Sequence, residues 1–237
     1  MRRLAISIIM ICVLLVPLRI HAAQVLTPAL IREWMHLGAQ GNADAQNNLG
    51  LLFSIGRGVR QDYAEALKWY RLAAAQGHAG AQNNLGLMYS EGQGVSQNFI
   101  EALKWFQLSA GKGNPDAQDN LGLMYFEGQG VGKDYTEAAK WFRLSAEQGN
   151  ADALNNLGWM YHQGLGVSRD YTEAMKWFLL SAAQGDVQAQ FTIGEMYERG
   201  LGVNRDLSQA AAWYKKACDN GLEAGCVQLR KLRSAGN

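Results

Sequence analysis

Apolar and polar positions from residue 41 to 76 follow two helical stripes. Ala45, Leu49, Leu52 and Phe53 fall at i, i+4, i+7 and i+8, one face of an amphipathic helix. Asn42 stands at its start, where an N-cap belongs. A glycine-bearing turn, "GRGV", follows. Ala66, Tyr70, Ala73 and Ala74 then mark a second buried stripe. Asp62 opens this helix with Glu65 three residues on, a capping-box spacing with Asp in the usual Ser/Thr position. Gly77 is placed to end it as a left-handed cap. The pattern predicts two helices and two turns.

The same pattern returns every 36 residues, at 41–76, 77–112, 113–148, 149–184 and 185–220. A sixth copy begins at Gly221 and ends after one helix; before the first, "LIREWMHLGAQ" resembles the second half of a unit. The expected organisation is a capping helix within 23–40, five repeats over 41–220, and a capping helix within 221–237. A strict period of this size predicts an all-α solenoid of 36-residue helix-turn-helix repeats, each unit burying its apolar face against its neighbours. Asn114, Asn150 and Asp186 repeat the first N-cap, with Pro115 at the favoured first helical position. Asp134 and Asp170, with Glu137 and Glu173, repeat the second, and Gly113, Gly149 and Gly185 the left-handed caps.

Gly50, Gly86, Gly122, Gly158 and Gly194 sit inside the first helices, where each costs roughly 1 kcal/mol relative to Ala. Five repetitions imply a packing reason, two helices too close for a side chain. Gly58, Gly94, Gly130, Gly166 and Gly202, in the "GxGV" turn, are expected at positive φ.

The stretch "NNLGLMYSEGQGVSQNFIEALKWFQLSA" resembles the Sel-one-like repeat, a relative of the tetratricopeptide repeat. The markers are A-x-x-x-L-G-x-x-Y in the first helix, the G-x-G-V turn, and Asp/Asn-aromatic-x-E-A followed by W-[YF] in the second. The resemblance covers about residues 41–237. It implies a right-handed α/α superhelix and a scaffold or adaptor rather than an enzyme.

In repeat solenoids of this kind the first helices line the concave side. Away from their buried stripe lie the positions equivalent to 44, 47, 48, 51 and 54. Position 51 is Leu51, Leu87, Leu123, Trp159 and Glu195; position 54 is Ser54, Ser90, Phe126, His162 and Glu198. An asparagine ladder, Asn48, Asn84, Asn120 and Asn156, runs beside them. Such amides fix the backbone of an extended peptide, and apolar neighbours supply area; the competing role is hydrogen bonding between units. The expected partner-binding residues are Asn84, Leu87, Asn120, Leu123, Phe126, Asn156, Trp159 and His162, for a protein or peptide partner.

Composition narrows the setting. Arg2 and Arg3, an apolar run from Leu4 to Val16, and "IHA" before Ala23 have the layout of a secretory signal peptide over 1–22. The run is too short for the roughly 20 residues of a membrane span. An uncleaved segment, favoured by Arg19, is the alternative and the one expected route to a membrane. Cys12, with no small residue before it, does not fit a lipoprotein anchor. Of 22 basic residues, Arg2, Arg3 and Arg19 precede the cut, leaving 19 against 21 acidic ones and a net of −2. That is no footprint for nucleic acid or anionic lipid. The Lys-Trp-aromatic runs at 68–70, 104–106, 140–142 and 176–178 have the ingredients of single-strand stacking sites. Their recurrence, with Glu65, Glu101, Glu137 and Glu173 three residues before each lysine, reads instead as core aromatics beside Glu–Lys pairs.

No catalytic constellation emerges. His36, His78 and His162 share no spacing, HExxH, GxSxG and GxxxxGK[ST] are missing, and Ser109 and Ser145 have no neighbouring base. No cofactor and no metal are expected. Cys218 stands where Ala74, Ala110, Ala146 and Ala182 stand, and Cys226 where Gln82, Gln118 and Gln190 stand. The pair therefore spans a corner between helices and reads as a disulfide in an oxidising compartment, since two thiolates leave a zinc site incomplete. The spacing also resembles the cysteine-rich bacterial branch of the family, some of whose members are described as binding or hydrolysing β-lactams. That resemblance implies, as an alternative, a β-lactam or peptidoglycan-fragment binder or hydrolase; here one junction carries the pair.

Overall fold

The computed structural model describes residues 26–235. The expected signal segment 1–22, with Cys12, lies outside them. Among the described residues there are twelve helices and no strand. The first is α1 (Pro28–Ala39), which occupies the place of a second helix. The five pairs are α2 (Ala43–Ile55) with α3 (Tyr63–Ala75), α4 (Ala79–Glu91) with α5 (Phe99–Ala110), α6 (Pro115–Glu127) with α7 (Tyr135–Glu147), α8 (Ala151–Gln163) with α9 (Tyr171–Ala183), and α10 (Val187–Arg199) with α11 (Leu207–Asp219). The last, α12 (Glu223–Ala235), is an unpaired first helix. The architecture is a right-handed α/α solenoid.

Each first helix begins where its cap predicts. The side chains of Asn42, Asn114, Asn150 and Asp186 accept a backbone N–H three residues on. In the second unit this role falls to His78, whose Nδ1 accepts from Ala81 N–H at 3.0 Å while its Nε2 reaches Asp44 at 3.1 Å. The second helices differ from the capping-box expectation. Asp62 Oδ1 accepts from the N–H of Ala64 and Glu65, but Glu65 does not reach back. The Asp62 N–H donates to Phe53 O at 2.9 Å instead, and Glu65 pairs with Lys68 at 3.3 Å. The box is half-formed because the backbone of the preceding helix has already taken the donor.

A recurring core lies between the helices of each unit and the next. Leu49, Leu85, Leu121, Leu157 and Ile193 are fully buried, as are the aromatics Phe106, Phe142, Phe178 and Tyr214. These aromatic rings rest on the mid-helix glycines, which accounts for the glycines' recurrence. The tryptophan before each ring is half-buried, and in the first four units the neighbouring lysine pairs with a glutamate three residues before it toward solvent. Gly130, at φ +67°, sets the turn of the third unit directly on the Phe99 backbone of the second, so positive φ and close approach coincide there. Ser109 and Ser145 are buried and donate to the carbonyls of Ala79 and Pro115, both at 2.7 Å, tying second helix to first within their units.

The last junction is covalent. Cys218 and Cys226 form a disulfide with 4.7 Å between their Cα atoms. No helix among the described residues is long and apolar enough to cross a membrane.

Candidate functional site

The first helices form the more closely spaced row. Asn84 Nδ2 donates to Asn47 Oδ1 at 3.1 Å, Asn120 to Asn83 at 3.0 Å, and Asn156 to Asp119 at 3.1 Å. Each bond crosses from one first helix to the next. Among the described residues no side-chain hydrogen bond joins consecutive second helices. The row of first helices, the inner row of the expected curve, is thus the one tied along its length by side chains.

These bonds also decide how the asparagine ladder is employed. The donors of Asn84, Asn120 and Asn156 are directed at the residue preceding the equivalent asparagine in the unit before. Those acceptors stand at position 47 of the repeat, expected away from the packed stripe, yet two of them, Asn83 and Asp119, are buried. The ladder stops at Thr192, whose hydroxyl donates to Gln188 O at 3.0 Å. Asn155 Oδ1 is consequently buried without a donor.

Position 51 carries the apolar part of the inner row. Leu87 and Leu123 are half-buried against the cores of their neighbouring units, whereas Trp159 is 39% exposed. Position 54 varies for a packing reason in four of the five units, where its residue meets the core ring, or the first ring, of the following helix; in the second unit the Ser90 hydroxyl donates to Leu87 O at 2.9 Å. Ser54 lies 3.4 Å from Tyr70 Oη, and Glu198 accepts from Tyr214 Oη at 2.6 Å. Where the core ring is Phe, Phe126 packs edge-on to Tyr135 at 5.2 Å, and His162 lies edge-on to Tyr171 at 5.1 Å and Phe178 at 6.4 Å. His162 also meets Trp159 edge-on at 5.4 Å. The expected binding residues thus fall into two groups: amides directed between units, and an apolar strip whose open end is Trp159 with His162 behind it. Burial, with Arg199 and Arg169 nearby, lowers the His162 pKa and keeps the ring neutral at physiological pH.

Charge divides between the rows. Helices α2, α4, α6, α8 and α10 hold Asp44, Glu91, Asp116, Asp119, Glu127, Asp152, Glu195 and Glu198 against Arg199 alone, a net of −7. Helices α3, α5, α7, α9 and α11 hold six carboxylates and eight Lys or Arg, a net of +2. Outer lysines such as Lys140 and Lys176 pair with glutamates of their own helices. Among the described residues no Lys or Arg lies within salt-bridge distance of an inner-row carboxylate. Crowding is sharpest at Asp119: burial first, then Asp152, pushes its pKa up to about 7 against the opposing Asn156 bond, with Asp116 adding to the rise. The segregation was available from the sequence by summing charge over alternate helices. No group of three or more His, Cys, Asp or Glu suited to a metal occurs among the described residues.

Comparison with known proteins follows this architecture. The Sel1 repeat matches at residues 43–78, 79–114, 115–150, 151–186 and 187–222. No match is found among curated proteins. Among solved structures, the chain is similar to c5321, a protective antigen of uropathogenic Escherichia coli strains displaying an SLR fold. That similarity has 39% identity and a TM-score of 0.82 over 87% of this chain and 44% of that one. The chain therefore spans less than half the length of that antigen. It is also similar to a Sel1 repeat protein from Oxalobacter formigenes, with 37% identity and a TM-score of 0.76 over 84% of this chain and 80% of that one. The immunity protein Pa5087 from Pseudomonas aeruginosa shares the fold at 21% identity and a TM-score of 0.55, over 83% of this chain and 76% of that one. With five consecutive matches over most of its length, the chain belongs to the Sel1 repeat family.

Proposed function

We propose that the chain is a non-catalytic protein-interaction scaffold of the bacterial cell envelope, periplasmic or secreted, that holds a protein or peptide partner on the inner row of first helices. Members of the Sel1 repeat family generally serve as protein–protein interaction scaffolds. The observation that carries the reading is Trp159: a large aromatic left open on the inner row, where Leu87 and Leu123 are half-buried. Exposed tryptophans of this kind anchor interfaces disproportionately. The Cys218–Cys226 bond and the signal-like segment 1–22 support export to an oxidising compartment.

The test is affinity capture from an envelope fraction with wild-type and Trp159→Ala chains. The reading expects the variant to keep its helical circular dichroism and lose its partner. Undiminished capture, or loss of capture together with helicity, overturns Trp159 as the anchor.

A further inference from the structure

Resting on that reading, we propose that the inner row of the third to fifth units recognises an extended, cationic segment of the partner, with lysines or arginines about three residues apart flanking an apolar side chain seated on Trp159.

The argument begins with register. Asp152 and Trp159 lie seven residues apart on α8, two helical turns and therefore one face. Asp116 and Leu123 repeat the relation on α6. Glu195 takes the Trp159 position one unit on, in α10. Asp116 and Asp152 thus lie in one line beside Leu123 and Trp159 in another, and Glu195 continues the second line past Trp159. Asp116 and Asp152 are exposed, Glu195 is half-buried, and none of the three has a Lys or Arg within salt-bridge distance among the described residues.

The spacing sets the conformation of the occupant. Packed helices stand about 8–10 Å apart. An extended or polyproline-type chain advances about 3.1–3.3 Å per residue, so every third residue meets the next unit.

Charge sets its chemistry. The inner helices carry a net of −7 while the outer ones are slightly positive and internally paired. The Asp116 and Asp152 carboxylates repel one another, and a cation laid between them relieves that repulsion. An anionic segment adds repulsion there, and a neutral one covers the carboxylates without supplying a counter-charge.

The experiment uses the whole chain and three fluorescein-labelled peptides on one serine–glycine background with a central leucine. The flanking positions, three residues apart, carry lysine, glutamate or glutamine. Anisotropy titrations at low and moderate salt are expected to show the lysine peptide binding at least ~10-fold tighter than the glutamate peptide, with the advantage shrinking as salt rises. The double variant Asp152→Asn/Glu195→Gln loses most of that advantage. The outer-face pair Glu137→Gln/Glu173→Gln keeps it. Equal binding of the three peptides overturns the proposal, as does a preference that survives inner neutralisation or disappears with the outer pair. If capture from the envelope depends on Trp159 but the partner's bound segment carries no cations, the scaffold reading stands and this inference falls.

Discussion

The Phe142 ring lies over Gly122 so closely that a Cβ on Gly122 would meet its Cδ1 at 2.7 Å. Phe142 is 2% exposed and enclosed by the core, so the ring has nowhere to turn. Gly122→Ala is expected to destabilise the central units by about 1–3 kcal/mol despite the roughly 1 kcal/mol that helix propensity returns. Urea denaturation followed by circular dichroism measures this. A midpoint that stays put or rises contradicts the close contact.

That contact shows what sequence alone conveyed. A glycine repeated five times inside a helix is a local anomaly, and its cause, a ring about 20 residues on, recurs with the same period. The helix pairs and caps were legible for the same reason. The ladder was only half legible because donor and acceptor are 37 residues apart, one more than the period. A repeat alignment places Asn48 beside Asn84, whereas the bond runs from Asn84 to Asn47. The variation at position 54 looked free of packing because its partner is a ring 9 or 16 residues further on, of changing identity. The inner face depends on which helix row is closer together, and hydrophobic periodicity contains no such distance.

Where the ladder stops, a repair is available. Asn155 Oδ1 is buried without a donor because Thr192 stands where Asn84, Asn120 and Asn156 stand in other units. Thr192→Asn supplies an amide that donates to Asn155 and extends the ladder to the fifth unit. A gain of roughly 0.5–1.5 kcal/mol is expected, the net worth of one hydrogen bond to a previously unsatisfied group. Thermal unfolding is the measurement, and a lower Tm rules out this geometry for the joint.

Asp119 makes the third joint pH-sensitive. Its pKa is about 7 in the folded chain, raised above its ordinary value of 3.8 by burial and by Asp152 and Asp116. Between those values the folded state holds more protons than the unfolded one, so stability falls as pH rises through this window and is lowest above about pH 7. Asp119→Asn keeps an acceptor for Asn156 and abolishes the charge. It should raise stability at about pH 8 by roughly 1–3 kcal/mol, below the ~4 kcal/mol that the full shift represents. At about pH 4 the gain should vanish. Chemical denaturation of both chains across that range provides the test, and parallel pH profiles contradict it.

The junction between α11 and α12 shows what replaces a recurring hydrogen bond. Gln82, Gln118 and Gln190 each donate through Nε2 to the carbonyl at the end of the preceding second helix, Ala74, Ala110 and Ala182, at 3.3, 3.4 and 3.5 Å. Cys226 holds the glutamine's place and Cys218 the alanine's, so a covalent bond stands where the polar contact would be. The reason lies in α12. Among the described residues no second helix covers it, and its buried apolar contribution is Leu229 with Leu232 packed alongside. Its first turn lies directly on α11, where a Cβ on Gly225 would meet Tyr214 O at 2.7 Å. A helix with so little burial frays, and closing the short loop between the cysteines restrains it by about 2.5 kcal/mol on the chain-entropy model. Reduction, or the Cys218→Ala/Cys226→Ala pair, should therefore lower hydrogen-exchange protection beyond Gly221 while α2–α9 stay protected. Cys218→Ala/Cys226→Gln, which rebuilds the contact of the other junctions, should recover part of that protection. Partner capture should be unaffected, because Trp159, on α8, lies three helices upstream of α11. Protection unchanged by reduction, or two free thiols in the exported protein, would show that α12 is held by packing alone.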